Sequence, residues 1–157
     1  MAFQYDDSTI GMVLNECMGG FGLSEYAKNK LGIKYVKDRF DINLVNLVLE
    51  EPDKVGDYSS KLKVVYMPRE YHEGPDDGHG KGKKYYRIDE YDGSETLILY
   101  PAKYQRDQKI KKQTKIISDI EKELYSDDPE NLRLQKLKSI ISSKDDKEEY
   151  FPEEQRL

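Results

Sequence analysis

Hydrophobic residues are spaced unevenly along the chain, and the spacing changes character near residue 100. Before that point they come as short runs. Met12, Val13 and Leu14 sit together in "IGMVLNEC", which predicts a buried strand over residues 10–17, although so short a run also fits a helical segment. Gly19, Gly20 and Gly22 follow at once and make continuing either element costly. Ser24 then stands where a helix N-cap belongs, with Glu25 in the first turn and Gly32 just past the end of "EYAKNKL". The predicted unit is strand, glycine loop, short helix.

Asp41 is placed to cap a helix whose apolar positions Leu44, Val45, Val48 and Leu49 share one side, with Pro52 as its stop. The β-branched content of that segment keeps a strand as the lesser alternative. "KLKVVYMP", residues 61–68, is apolar, β-branched and closed by proline, which predicts a strand. The following "REYHEGPDDGHGKGKK" predicts a polar loop. Asp92-Gly93 signals a type I′ turn between two alternating segments. Pairing outward from it sets Glu90, Ile88 and Tyr86 against Glu95, Leu97 and Leu99 on a core side. Arg87, Asp89 and Tyr91 then face Ile98, Thr96 and Ser94 on a polar, tyrosine-rich side.

From Lys103 the pattern becomes helical. Ile110, Ile117, Ile120 and Leu124 keep a seven-residue seam with Gln113 at its polar position, and Leu134, Leu137 and Ile141 form a second stripe after "YSDDPEN". Asp128 and Pro129 start that second helix, so the pair is expected as an antiparallel hairpin. The expected class is α+β: a body over residues 1–102 with a small mixed sheet, a helical hairpin over 103–143, and a disordered acidic tail over 144–157.

Composition narrows the possibilities. A chain of 157 residues can bury one real core, yet only 36% of it is hydrophobic and another 36% is charged. Thirteen tyrosines, four phenylalanines and no tryptophan suit a thin core with half-exposed faces. The net charge of -5 argues against general affinity for nucleic acid. A single cysteine excludes an internal disulfide and fits a reducing compartment. The first residues carry no secretion signal and no stretch is apolar enough to span a membrane, so a soluble intracellular or particle-borne protein is expected, not a secreted one.

Several groups bear on chemistry. Gly19, Gly20, Phe21, Gly22 and Ser24 could cradle a phosphorylated metabolite or nucleotide at a helix start. They match neither a dinucleotide fingerprint nor a P-loop, and no basic residue lies inside them. Cys17, near the same helix start, is the candidate nucleophile of a thiol enzyme. Its base would have to be His72 or His79, both in the polar loop. "HEGPDDGH" also holds Glu73, Asp76 and Asp77, but its spacing fits no structural zinc pattern, so no metal or cofactor is expected. Residues 103–117 gather six basic side chains against Asp107, and a nucleic-acid helix would want more arginine and aromatics. The apolar stripes Ile110 to Ile141 offer a surface for a partner protein or a second copy.

Two stretches resemble a known group. "LNECMGGFGLSEYA" is similar to an N-x-C-[aromatic]-G-G-F-G-L-S motif of small proteins encoded by bacteriophages and large DNA viruses, with Met18 at the aromatic position. "YRIDEYDGSETLIL" resembles the W-x-I-E-E-Y-D-G-x-E hairpin of the same proteins, with Arg87 at the tryptophan position. The likeness runs from about residue 12 to residue 100 and leaves the helical hairpin outside it. It implies a viral origin and a shared α+β body, and no reaction. The resulting expectation is a non-enzymatic, virus-encoded binding protein of the host cytoplasm or virion, with a ligand binder or a thiol enzyme as alternatives.

Overall fold

The computed structural model describes residues 7–76, 82–83, 85–125, 129–142 and 150–157. The chain divides into two units, a body running to Tyr100 and rejoined by Glu154–Leu157, and a hairpin of Pro101–Glu153.

The body begins with β1 (Thr9–Asn15), which pairs antiparallel with β2 (Leu62–Pro68) so that Val13 lies opposite Val64. Between them come α1 (Glu25–Leu31), α2 (Ile42–Glu50) and the single turn α3 (Pro52–Val55). Each helix starts as its sequence dictates. The Ser24 hydroxyl accepts from the Ala27 N–H, and the Asp41 carboxylate accepts from the N–H groups of Asn43 and Leu44. Gly32 closes α1 in the left-handed conformation at φ 67°. Pro52 both ends α2 and opens α3, because a first-turn proline has no N–H to lose.

β1 is buried on both faces, which explains its nearly unbroken apolar run. Val13 joins Leu44, Val45, Val48, Val55 and Leu62 in a closed core under the three helices. Met12 and Leu14, on the opposite face of the strand, are buried as well.

The second sheet has the order β3 (Gly82–Lys83), β4 (Tyr86–Tyr91), β5 (Ser94–Leu99), β6 (Gln155–Arg156), all antiparallel. The hairpin register is the expected one, Glu90 opposite Glu95 and Tyr86 opposite Leu99. Asp92 and Gly93 take φ 50° and 85°, the positive values a type I′ turn requires.

Four expectations change. The strands form two antiparallel sheets in place of one mixed sheet. The stretch expected to be wholly loop contains α4 (Arg69–His72), whose Tyr71 is buried. Ile98 is fully buried on the side expected to be polar, and in the sheet it is the residue paired with Arg156. Finally, the chain end is not all tail: Gln155–Arg156 add a strand to β5, and Leu157 exchanges both backbone hydrogen bonds with Leu97. Acidic composition hid this, because backbone pairing needs no apolar side chain.

The hairpin unit consists of α5 (Pro101–Leu124) and α6 (Glu130–Ser142), close to the expected spans.

Candidate functional site

β1 has β2 on one edge, and its other edge would be an open row of polar groups. Arg39 and Glu95 fill it. The Val13 N–H donates to the Arg39 carbonyl at 2.9 Å, and the Arg39 guanidinium donates to the Val13 carbonyl at 3.2 Å. The Asn15 N–H donates to Glu95 Oε2 at 3.0 Å, and both guanidinium nitrogens of Arg39 donate to the same carboxylate at 3.0 Å. The Arg39 guanidinium sits over the Phe21 ring, 3.3 Å from ring centroid to Cζ.

Asn15 itself is fully buried and satisfied. Its amide donates to the carbonyls of Cys17 and Gly93, and its oxygen accepts from the Lys61 N–H at 2.9 Å. The glycines close the junction. Gly19 donates its N–H to the Asp92 carbonyl at 3.1 Å. A β-carbon on Gly93 would strike the backbone of Gly20 and Gly19, so the two turns approach this closely only because residue 93 has no side chain. The glycine stretch after β1 and the Asp92-Gly93 turn therefore meet in space.

These contacts bear directly on the anion reading. The Ser24 N–H is taken by the Val55 carbonyl, its hydroxyl donates to the Lys54 carbonyl, and α1 has only seven residues. The Asp57 carboxylate packs against Gly22. The Ser59 backbone N–H holds that carboxyl below its ordinary range, so a negative charge faces the loop where a phosphate would lie. Cavities of about 440 Å³, between Leu31 and Leu44, and about 260 Å³, by Thr9 and Arg69, lie elsewhere in the body.

Cys17 is half-buried, and its thiol sits 3.3 Å from the Ser59 carbonyl and 3.4 Å from Asn15 Oδ1, two acceptors for S–H. His72 packs its ring on Phe40, centroids 4.2 Å apart, and burial lowers its pKa. His79 and Asp77 lie outside the described residues, among which no three potential metal ligands cluster.

On the hairpin, the expected seam splits. Ile120 and Leu137 are half-buried, together with Ile116 and Ile140, on the faces where α5 meets α6. Lys136 pairs with Glu123 at 3.5 Å, and Arg133 caps the end of α5 through the Leu124 carbonyl. Ile110, Ile117, Leu124 and Leu134 are 58%, 57%, 53% and 50% exposed. Ile141 lies in α6, but its side chain is outside the described set. The seven-residue spacing thus mixed an inner face with an outer one.

Arg39 and Glu95 were not singled out from sequence. The available signal was Glu95 itself, a carboxylate on the apolar side of a hairpin, where burial demands a cation. No known protein family, curated protein or solved structure matches the chain. Among the described residues no helix is long and apolar enough to cross a membrane.

Proposed function

We propose that this is a virus-encoded interaction protein of the host cytoplasm or virion, in which the body is a scaffold and the hairpin α5–α6 binds protein. One observation carries the reading: Ile110, Ile117 and Leu124 recur at every seventh position of α5 and all remain more than half exposed. Single exposed apolar residues are ordinary, but an aligned row of them marks an interaction surface. The glycine corner supports the same division of labour. Gly19 is bonded to the hairpin turn through Asp92, and Gly22 and Ser24 to the segment 54–60, as befits a structural joint.

The test compares the full chain with the triple variant Ile110→Asp, Ile117→Asp, Leu124→Asp, by sedimentation and by capture from extracts of host cells. Loss of a complex formed by the unaltered chain, with the circular dichroism spectrum unchanged, is the expected result. The same complexes in both samples would overturn the reading.

A further inference from the structure

The contacts that build the glycine corner also bring together what it shows to solvent. Among the described residues, the three most exposed large apolar side chains of the body are Tyr58, Tyr91 and Met18, the first fully exposed and the others 83% and 68%. They come from three separate segments, and each is the neighbour of a residue that touches at the corner. Met18 precedes Gly19, whose N–H is bonded to the carbonyl of Asp92, next to Tyr91. A β-carbon on Gly19 would strike the carbonyl of Ser59, next to Tyr58. With about 3.8 Å between successive Cα atoms, the backbone of each tyrosine lies no more than about 15 Å from that of Met18. The turn under Tyr58 is fixed: Asp57 Oδ1 accepts from the N–H and hydroxyl of Ser59, and the Ser60 hydroxyl donates to the Gly22 carbonyl at 2.7 Å. Tyr91 ends β4 at the type I′ turn. Aromatic side chains on fixed backbone lose little freedom on binding, and three drawn to one place mark a contact surface.

Charge beside the rings gives the chemistry of the partner. Asp57 precedes Tyr58, and Asp92 follows Tyr91. Neither carboxylate has an ion-pair partner among the described residues: Lys28, whose charge Asp57 senses, is bonded to Glu25, and Lys61 to Glu16, each at 2.7 Å. Negative charge around open rings repels phosphates and carboxylates and attracts cations. Of the cationic side chains arginine fits best, since a flat guanidinium stacks on a ring while its edge N–H groups reach a carboxylate. The interior already contains that arrangement. Arg39 Cζ lies 3.3 Å from the Phe21 ring centroid, and two of its nitrogens hold Glu95.

We infer that the corner is a second protein-binding surface, independent of the hairpin, and that it takes a segment in which arginine stands beside an apolar side chain. The apolar group covers Met18. The guanidinium lies on Tyr58 or Tyr91, against the neighbouring aspartate. Salt weakens the complex, because unlike charges meet at its solvated rim.

The experiment titrates the full, isotope-labelled chain with the peptide acetyl-Arg-Leu-Arg-amide and follows its amide chemical shifts. The shifts should gather at residues 18–20, 58–59 and 91–93. The peptide acetyl-Lys-Leu-Lys-amide should bind about threefold more weakly, and acetyl-Glu-Leu-Glu-amide should leave the spectrum unchanged. Tyr58→Ala combined with Tyr91→Ala should abolish the response. Both side chains are exposed, so the remaining signals should report an intact fold. Asp92→Asn should weaken binding, while the hairpin variant Ile110→Asp, Ile117→Asp, Leu124→Asp should bind the arginine peptide as the parent does. Shifts that are absent from the corner, that survive loss of both tyrosines, or that the glutamate peptide also produces would overturn the inference. So would an oligothymidylate that moves the same signals, because the surface would then stack bases despite its carboxylates. Loss of peptide binding in the hairpin variant would move the site to the hairpin and overturn it as well. Failure at the corner leaves the hairpin reading standing, since that reading is decided by the hairpin variant alone.

Discussion

Arg39 grips Glu95 with both terminal guanidinium nitrogens at 3.0 Å, and together they run along the edge of β1 that no strand covers among the described residues. The relationship does three things at once. It neutralises a carboxylate that is only 5% exposed, it satisfies Val13 and Asn15 in β1, and it ties the first sheet to the second.

Breaking it from one side should be severe. Glu95→Ala strands a half-buried guanidinium and the Asn15 N–H, so a loss of about 3–5 kcal/mol is expected in urea unfolding. An ordinary buried ion pair can be exchanged for apolar residues at little cost. Here the exchange Arg39→Met with Glu95→Leu should still cost about 2 kcal/mol, because the Val13 carbonyl and the Asn15 N–H lose their partners. A double variant as stable as the parent would show that the edge contacts carry no weight.

Two glycines of the corner should respond differently to the same change. Gly20 has φ 92° and open space where a β-carbon would go, so Gly20→Ala meets backbone strain alone, about 1–2 kcal/mol. Gly93 has φ 85° and the Gly20 backbone in that space, so Gly93→Ala must also push the two turns apart. Thermal unfolding should rank Gly93→Ala well below Gly20→Ala. Equal losses would mean the turns do not interlock.

Most of the body was legible because its signals are local. Ser24, Asp41 and Gly32 cap helices through groups within a few residues of themselves, and Asp92-Gly93 fixes the hairpin register with its own dihedral angles. What the sequence hid depends on distance along the chain. Arg39 and Glu95 are 56 positions apart, and neither stands in a local pattern that announces the other. The strand at Gln155–Arg156 is a backbone event in an acidic segment. The hairpin seam failed for another reason: α6 carries apolar side chains at Leu132, Leu134, Leu137 and Ile140, so several stripes can be drawn and only packing selects one. The candidate sites divide in the same way. The glycine corner was found by composition, but its use as a joint between sheets depends on the distant turn at Gly93.

Cys17 should behave as a packed thiol. With Sγ held against the Ser59 carbonyl and Asn15, alkylation by iodoacetamide at pH 8 is expected to proceed at least tenfold more slowly in the folded chain than in urea. A rate above that of the unfolded chain would restore a nucleophile to consideration.

Glu51 gives the body its clearest acid response. Its carboxylate accepts from Lys30, Lys54 and the Tyr26 hydroxyl, and these, Lys30 foremost, hold its pKa at about 2 against an ordinary 4.5. A carboxyl depressed by folding binds its proton more readily in the unfolded chain, so its stabilisation is complete above pH 4.5 and is lost as pH falls towards about 2. Lys30 and Lys54 keep their charge throughout that window, since the same carboxylate raises both. The group is solvated, so the effect is modest and screened by salt. Glu51→Gln should therefore flatten the decline of urea midpoint between pH 4.5 and pH 2 at low ionic strength, and 1 M salt should shrink the difference between the two proteins. Parallel pH profiles would place the acid sensitivity elsewhere, with Asp57, whose carboxyl is also held low, as the next residue to replace.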